Sequence, residues 1–245
     1  MHDRLAHQTD VLILCGGLGK RLRPVVRDKP KALAEVARRP FLDLLIGYIA
    51  GYGFRRFILC TGHMGSAIAE RYGKPSEGLE ILFSQEEHAL GTAGAVKNAE
   101  PLIQSDPFLV ANGDSLCHAD LSDFLHVHLK NSARLSMVVT RSQDSRDFGT
   151  ITLSDSKEIV RFEEKKTGAE AAFINAGIYF FEKEILSLIP PGKRYSLEVD
   201  LFPELVGRGF YGYVVQSKLI DIGTPERYSE AVSFFSRRKA EFGLQ

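Results

Sequence analysis

Residues 14–31 read Leu-Cys-Gly-Gly-Leu-Gly-Lys-Arg-Leu-Arg-Pro-Val-Val-Arg-Asp-Lys-Pro-Lys. A glycine cluster follows an apolar run and precedes six basic side chains and one acid. Because glycine has no Cβ, backbone amides can approach a ligand closely, and the fixed positive charge opposes phosphate groups. The stretch therefore indicates a site for a nucleoside triphosphate at the end of a strand.

Two better-known phosphate motifs do not match this stretch. A P-loop needs a glycine five residues before its Gly-Lys pair, but Gly19-Lys20 has Leu14 at that position. The dinucleotide fingerprint needs glycine at its first, third and sixth positions, and counting from Gly17 the sixth position is Leu22. The loop is thus of another kind.

An ordinary glycine-rich turn is the alternative interpretation of the same residues. Against it, the next helical pattern begins only near Pro40, and so long a connection inside a compact domain is usually functional or disordered. Disorder is disfavoured because the stretch contains several apolar residues. These are Leu22, Val25, Val26, Ala32, Leu33 and Val36.

The composition is that of a globular protein without a global electrostatic field. Lysine plus arginine and aspartate plus glutamate number 31 each among the 245 residues, which gives no general attraction to nucleic acid or to an anionic membrane. No apolar stretch approaches the roughly 20 residues of a spanning helix. We therefore expect a cytoplasmic protein whose partners are small anions. The three cysteines lack metal-type spacing.

Short apolar runs of strand length alternate with segments of helical spacing through the first 140 residues. This alternation predicts right-handed βαβ units, and hence an α/β fold: a Rossmann-like mixed, mostly parallel sheet with helices on both faces. Ligands of such sheets bind beyond the carboxyl ends of the strands. The predicted strands are 11–15, 56–60, 79–83, 108–111 and 135–139, and the predicted helices are 41–50, 66–72, 92–99 and 121–129.

After about residue 140 the predicted strands follow one another more closely. They cover 149–153, 158–162, 174–181, 210–215 and 218–222, with a short helix at 182–188 and a final helix from Pro225 to Arg238. No linker composition separates the two halves. We therefore expect one domain over residues 1–245, whose second half covers the ligand-binding rim.

Two aspartates follow predicted strands. Asp114 comes after Phe108-Leu-Val-Ala-Asn-Gly, and Asp221 lies between Leu-Ile and Gly-Thr-Pro. A magnesium ion that handles phosphates takes one or two protein carboxylates and fills its other positions with phosphate and water. Each aspartate alone is more often a turn or cap residue, but together with the cationic loop they predict a Mg²⁺ site. Arg21 and Lys31 are the candidates for neutralising a triphosphate.

Two further polar features of the sequence have more than one interpretation. From charge alone, the run Glu163-Glu164-Lys165-Lys166 favours a solvated hairpin turn. Asn175 lies inside an apolar strand-like run, where its amide must find hydrogen-bond partners. Both the backbone and a sugar hydroxyl are candidate partners for it.

Several separated motifs resemble the sugar-1-phosphate nucleotidyltransferase family over nearly the whole chain, from Leu12 to about Ala231. A single glycine motif is weak evidence, whereas an ordered set is specific. The motifs are Gly16 to Leu22, Lys29-Pro30-Lys31, Leu90 to Gly94, Asn112-Gly113-Asp114, Phe148-Gly149-Thr150, Glu164-Lys165, Asn175-Ala176-Gly177 and Asp221 to Pro225.

The resemblance implies the fold of the nucleotide-diphospho-sugar transferases and a reaction of GTP, or another nucleoside triphosphate, with a sugar 1-phosphate. Residues 1–140 would form the nucleotide-binding half, and residues 141–245 the sugar-binding half with the C-terminal helix. Arg21 and Lys31 would stabilise the triphosphate, and Asp114 and Asp221 would bind the metal. The nucleotide would contact Leu14, Gly16, Gly17, Gly19, Gln85, Gly91, Thr92 and Asn112, and the sugar phosphate Gly149, Glu164, Lys165 and Asn175.

Within the family, the chain most resembles guanylyltransferases that act on D-glycero-α-D-manno-heptose 1-phosphate and so supply bacterial surface polysaccharide. A mannose-1-phosphate guanylyltransferase, a uridylyl- or cytidylyltransferase and a non-catalytic nucleotide-sugar-binding subunit are the alternatives. Lys20 replaces the usual Ser or Thr, and Lys166 the usual proline. The sequence does not indicate an oligomeric state, and a homodimer is one of the alternatives.

Overall fold

The computed structural model describes residues 2–74, 78–142, 148–163 and 172–237. Up to residue 142 it follows the predicted alternation of strands and helices. The elements are α1 (His2–Gln8), β1 (Asp10–Leu14), β2 (Glu35–Val36), β3 (Arg39–Pro40), α2 (Phe41–Gly51), β4 (Arg56–Thr61), α3 (Gly65–Tyr72), β5 (Glu80–Gln85), α4 (Gly91–Asn98), β6 (Phe108–Asn112), β7 (Ser115–Cys117), α5 (Leu121–Lys130) and β8 (Leu135–Ser142). A 3₁₀ turn, Lys31–Leu33, follows the glycine-rich loop.

The second half is rich in strands, as expected. Its elements are β9 (Thr150–Leu153), β10 (Ile159–Glu163), β11 (Ala172–Phe181), α6 (Phe202–Leu205), β12 (Phe210–Val215), β13 (Leu219–Asp221) and α7 (Pro225–Arg237). The short helix predicted at 182–188 is a 3₁₀ helix, Lys183–Leu188. A π-helical turn, Leu197–Leu201, precedes α6.

A nine-stranded mixed sheet takes strands from both halves of the chain. Its order is β10-β9-β11-β6-β1-β4-β5, with β8 pairing β11 and β12. The block β6-β1-β4-β5 is parallel, and β11 joins it antiparallel to β6. The predicted fold class, a Rossmann-like mixed sheet with helices on both faces, is confirmed.

Alternation along the strands divides the core into two clusters. In β1, Val11 and Ile13 belong to the cluster that includes side chains of α2, α5 and α7, whereas Leu12 belongs to the one that includes side chains of α4 and residues 197–205. All three are fully buried. Burying such a side chain contributes about 1.5–3 kcal/mol, so the parallel strands are fixed between two apolar layers.

Local signals explain where α5 begins. The side chain of Asp120 accepts hydrogen bonds from the amides of Ser122 and Asp123, both at 3.0 Å, which satisfies donors that the helix itself leaves unpaired.

His128 on α5 is fully buried and forms hydrogen bonds with Ser136 and Glu182. Burial lowers its pKa to about 4, so it is a neutral core residue at pH 7.

A two-stranded antiparallel sheet formed by β7 and β13 lies outside the sequence prediction. Asp221 pairs with Ser115 in its register, and the amide of Ile222 donates to the carbonyl of Asp114 at 3.0 Å. The first strand has only three residues, too few for a periodic signal. This small sheet connects the two halves of the chain at the rim.

In the described parts of the chain, no helix has the length and apolar character needed to span a bilayer.

Candidate active site

The carboxyl ends of β1 and β6 form the floor of the candidate site. Leu14 and Asn112, the last residues of these parallel strands, face each other in the register. The glycine-rich loop leaves from the first strand and Asn112-Gly113-Asp114 from the second. The predicted convergence at the strand ends is therefore present.

A cavity of about 500 Å³ opens between these strand ends and the start of α4; we call it the nucleotide cavity. Residues of two glycine-containing segments line it, together with the strand ends and several charged side chains. Its lining residues are Leu14, Gly16, Gly17, Leu18, Lys20, Glu86, Ala89, Gly91, Thr92, Ala95, Asn112, Asp114, Arg194 and Glu198. Six of the eight predicted nucleotide contacts, Leu14, Gly16, Gly17, Gly91, Thr92 and Asn112, are among them.

Asn112 carries an unsatisfied group at this cavity. Its Oδ1 is buried and has no hydrogen-bond partner among the residues that the structure describes. A buried acceptor without a partner is costly, and a hydroxyl of a bound nucleotide or sugar would satisfy it. The position thus suits a ligand contact.

Asp114 lines the nucleotide cavity, and Asp221, 107 positions later in the chain, lies beside it in the fold and lines a neighbouring cavity. The small sheet of β7 and β13 brings their backbones side by side. Burial raises the pKa of Asp221 above its usual value, and the nearby negative charge of Asp114 adds to that effect, while Gly223, Arg227 and Lys31 oppose it. A cation bound beside these two carboxylates would favour the ionised form of Asp221.

Two predicted cations lie beside the carboxylates. Lys31 is largely buried and forms an ion pair with Asp114 through Nζ and Oδ2. The position that a Cβ on Gly223 would occupy is 3.7 Å from Lys31 Nζ and 3.8 Å from Arg21 Nη2. The turn after Asp221 therefore gathers both cations and both carboxylates into one cluster, which we call the charged cluster.

A second cavity of about 440 Å³ lies under the glycine-rich loop; we call it the loop cavity. It shares Gly17, Leu18 and Lys20 with the nucleotide cavity. Five cations, Lys20, Arg23, Arg27, Lys29 and Lys31, line it together with Gly19 and His63, and none of its lining residues is acidic. Such a cavity suits the outer phosphates of a triphosphate.

The donor set of the charged cluster fits a hard divalent cation. Two carboxylates match the one or two protein ligands that Mg²⁺ takes when phosphates and water complete its octahedron. Within the described ranges, no group of three or more His, Cys, Asp or Glu residues is arranged to hold a metal. A closed cage of the zinc type is therefore not what the described residues offer.

Gln85, the predicted nucleobase contact, does not line the nucleotide cavity. It is exposed, and its carbonyl accepts a hydrogen bond from Asn98 Nδ2 at 3.4 Å. Its neighbour Glu86 lines the cavity instead. The predicted segment borders the cavity, but the side chain that faces the cavity is that of Glu86, the next residue.

The predicted sugar-binding residues are only partly placed. Asn175 Nδ2 donates to Tyr179 Oη and its Oδ1 accepts from the Gly177 amide, both at 2.8 Å, so its amide is satisfied within β11. Gly149 precedes β9, close to the ring of Phe162. Glu164 and Lys165 lie outside the described residues. The roles of these four stay predictions.

Several lining residues were given no individual role from the sequence, although Arg23 and Arg27 were counted among the six basic side chains of the loop. Arg194 and Glu198 reach the nucleotide cavity from the segment before α6, and Arg23, Arg27 and His63 reach the loop cavity. Glu198 Oε2 accepts from Thr92 Oγ1 at 2.9 Å, which joins this segment to the start of α4. The Arg-rich spacing of the loop was the available signal for Arg23 and Arg27.

The glycine-rich loop, two strand-end carboxylates and this sheet define a nucleotide-handling α/β protein, and comparison with known proteins shows its family. The nucleotidyl transferase family matches residues 10–238, and the chain belongs to that family. The mannose-1-phosphate guanylyltransferase of Mycobacterium tuberculosis is 38% identical over 226 residues, which are 91% of this chain and 63% of that protein. This chain thus spans less than two thirds of that relative.

Relatives of matching length carry another name. The D-glycero-α-D-manno-heptose 1-phosphate guanylyltransferase of Aneurinibacillus thermoaerophilus is 34% identical over 223 residues, 91% of this chain and 96% of that protein. The crystal structure of HddC from Yersinia pseudotuberculosis has a TM-score of 0.82 and 32% identity, covering 93% of this chain and 99% of that one. A second HddC structure is complexed with GMP-PN and has a TM-score of 0.80.

Replacing Gly223 with Ala should lower kcat about 10²-fold while leaving the fold intact. The added Cβ would lie 2.7 Å from Asp221 Oδ1, so the carboxylate must move away from the charged cluster, and a displacement of about 1 Å can cost that much. Gly47→Ala in α2 is the matched control, because among the described residues nothing outside its own stretch of helix lies within 4 Å of its Cβ position. Steady-state rates and thermal unfolding of both variants check this; equal rates for Gly223→Ala and the parent would contradict it.

Proposed function

We propose that the protein transfers GMP from GTP to a sugar 1-phosphate, giving a GDP-sugar and pyrophosphate. The charged cluster beside the nucleotide cavity is the observation that carries this proposal. The family assigns the reaction class, and relatives named as guanylyltransferases favour guanine as the base.

D-glycero-α-D-manno-heptose 1-phosphate is the proposed acceptor, so that the product is GDP-heptose. The heptose relative and this chain cover each other almost completely, at 96% and 91%. Mannose 1-phosphate is the second candidate, favoured by the higher identity of 38% to the mycobacterial relative. A role in bacterial surface polysaccharide, a cytoplasmic location and a homodimer stay predictions.

In the proposed reaction an oxygen of the sugar phosphate attacks the α-phosphorus of GTP in line. The new Pα–O bond forms as the bond from Pα to the β-phosphate bridging oxygen breaks, and pyrophosphate leaves with that electron pair. Such transfers depend on positioning and on neutralisation of charge rather than on a nucleophilic side chain. Lys31 and Arg21, which converge in the charged cluster, would position the triphosphate and neutralise its charge.

Each group of the charged cluster has a proposed part in this reaction. Lys31 and Arg21 neutralise charge on the triphosphate, and the cations of the loop cavity hold the departing pyrophosphate. Asp114 and Asp221 would hold Mg²⁺, which would supply positive charge to stabilise the negative charge of the phosphates. Lys31, paired with Asp114, would also orient that carboxylate.

The test is a measurement of pyrophosphate release with Mg²⁺, each of the four nucleoside triphosphates, and the 1-phosphates of heptose, mannose, glucose and N-acetylmuramic acid. We expect the highest kcat/KM for GTP with heptose 1-phosphate. Preference for UTP or CTP would overturn the guanylyl assignment, and preference for mannose would move the acceptor to the second candidate. The absence of product with every pair would overturn the proposed reaction.

A further inference from the structure

The backbone of Arg227, in the first turn of α7, is fixed by the packing of that helix. Ala231 and Phe235, one and two turns later, are fully buried in the core. The hydroxyl of the next residue, Tyr228, donates to the carbonyl of Glu35 at 2.7 Å. The start of α7 is therefore anchored, and the guanidinium of Arg227 extends from a fixed point.

This guanidinium makes two contacts that join separate parts of the chain. Nη1 of Arg227 lies 3.6 Å from Asp221 Oδ1, and its Cζ lies 4.5 Å from the centre of the Phe148 ring. The Arg227 side chain is 22% exposed. A largely enclosed guanidinium over an aromatic face is a favourable contact that also fixes the plane of the group. The ring of Phe148 thus helps to direct Arg227 toward Asp221.

The carboxylate of Asp221 is held through one of its oxygens. Oδ1 accepts a hydrogen bond from the Gly223 amide at 2.8 Å, and it is the same oxygen that faces Arg227. Because a carboxylate is planar, contacts that hold Oδ1 also set the position of Oδ2. The second oxygen is then placed for a cation in the charged cluster, where Asp114 is the other carboxylate.

Asp221 also borders empty space. Together with Phe148 and Arg227 it lines a cavity of about 240 Å³, to which neither the nucleotide cavity nor the loop cavity contributes a lining residue among those that the structure describes. The terminal torsion of an aspartate is broad, so its surroundings rather than an intrinsic preference decide its orientation. Without Arg227, the carboxylate would be able to turn toward this space and away from the charged cluster.

We propose that Arg227 is a positioning residue, which holds Asp221 in the orientation that binds the divalent cation. This inference rests on the proposed function and adds a residue that lines neither the nucleotide cavity nor the loop cavity. Partners that orient metal-binding side chains typically account for roughly tenfold to hundredfold in metal affinity. Arginine suits this role because its planar group lies over a ring and still reaches a carboxylate at its edge, whereas a lysine ammonium is a point charge.

Positioning and charge predict opposite effects of removing Arg227. A positive group 3.6 Å from Asp221 repels a second cation bound there, so the loss of this charge alone would tighten metal binding. The loss of a positioning contact would instead weaken metal binding, because the carboxylate is no longer held. The direction of the change in affinity therefore separates the two roles.

The test measures Mn²⁺ binding to the complex of the protein with a non-hydrolysable GTP analogue, by electron paramagnetic resonance. We expect Arg227→Met, which keeps the aliphatic stem, to bind Mn²⁺ roughly tenfold to hundredfold more weakly than the parent. Arg227→Lys keeps the charge without the planar group, and its binding should be weaker by about fivefold or more. Arg237→Met, at the exposed end of the same helix, is the matched control and should bind like the parent.

A double-mutant cycle shows whether the effect passes through Asp221. In the Asp221→Asn background, Arg227→Met should change the Mn²⁺ affinity by less than about twofold, because the carboxylate that it orients is gone. An equal loss in both backgrounds would overturn the proposal, and so would unchanged or tighter binding in Arg227→Met. If thermal unfolding shows that Arg227→Met is not folded, Arg227→Lys carries the same comparisons.

Pyrophosphate release by the parent separates this inference from the proposed function. The absence of release with every substrate pair would overturn the proposed function, while the Mn²⁺ titrations would still test the role of Arg227. A parent that releases pyrophosphate, but whose complex binds Mn²⁺ no better than the analogue alone, would overturn the role of Arg227 and leave the reaction standing.

Discussion

Replacing Asp114 with Asn should lower kcat about 10³-fold while the protein remains folded. The change keeps the shape of the side chain but removes the charge that Lys31 pairs with and that a divalent cation requires. Stabilisation of transferring phosphates by a metal is worth several kcal/mol, and each 1.36 kcal/mol is tenfold in rate. Pyrophosphate release at saturating GTP and Mg²⁺ measures the effect.

Asp155→Asn serves as the control for this variant, because Asp155 is an exposed turn residue away from both cavities. We expect its rate to match that of the parent. If Asp114→Asn retained the parental kcat, the proposed metal role would be wrong. The alternative of a non-catalytic nucleotide-sugar-binding subunit predicts no turnover in the parent as well, so the parental rate separates the two hypotheses.

Replacing Lys31 with Met should lower kcat/KM for GTP by about 10² to 10³. Methionine keeps much of the buried aliphatic stem, which packs behind the loop, but it removes the ammonium group from the charged cluster. A preorganised cation that faces developing negative charge typically accounts for a factor of that size. Steady-state kinetics over a range of GTP concentrations gives the value.

Lys130→Met is the matched control for the second variant, since Lys130 ends α5 at the exposed surface. Circular dichroism and thermal unfolding should show that both variants are folded. A loss of less than about threefold in Lys31→Met, with the fold retained, would contradict a direct role of its charge.

Most helices and strands of the large sheet follow from periodicity in the sequence. An apolar run predicts the buried strand β1, Asp10–Leu14, and helical spacing of apolar residues predicts α2, Phe41–Gly51. Both elements end within about two residues of their predicted bounds. Short elements do not carry such a signal. The pairing of β7 with β13 depends on tertiary contact, and it is this pairing that joins the two aspartates.

The residue that faces the nucleotide cavity could not be chosen from the sequence at the end of β5. Successive side chains of a strand point to opposite sides, so an uncertainty of one residue exchanges Gln85 for Glu86. Asn175 shows a related limit. Its amide had to find partners, but only coordinates reveal that Tyr179 and Gly177 supply them.

The cations of the loop were predicted in part. The pattern identified Arg21 and Lys31, which the structure places beside both carboxylates. It did not indicate that Arg23 would reach His63, at 3.3 Å between Nη2 and Nε2, because the turn that presents His63 follows a different strand. Contacts between loops depend on the arrangement of strands, which periodicity alone does not give.

The most direct test of the account is a crystal structure with Mn²⁺ and a non-hydrolysable GTP analogue, since Mn²⁺ takes the same oxygen ligands as Mg²⁺ and gives an anomalous signal. We predict one anomalous peak between Asp114 and Asp221, at a bonding distance of about 2.1 Å from an oxygen of each. The phosphates should lie on the side of Arg21 and Lys31. A cation bound by phosphate oxygens alone, with either carboxylate out of bonding distance, would contradict the central claim.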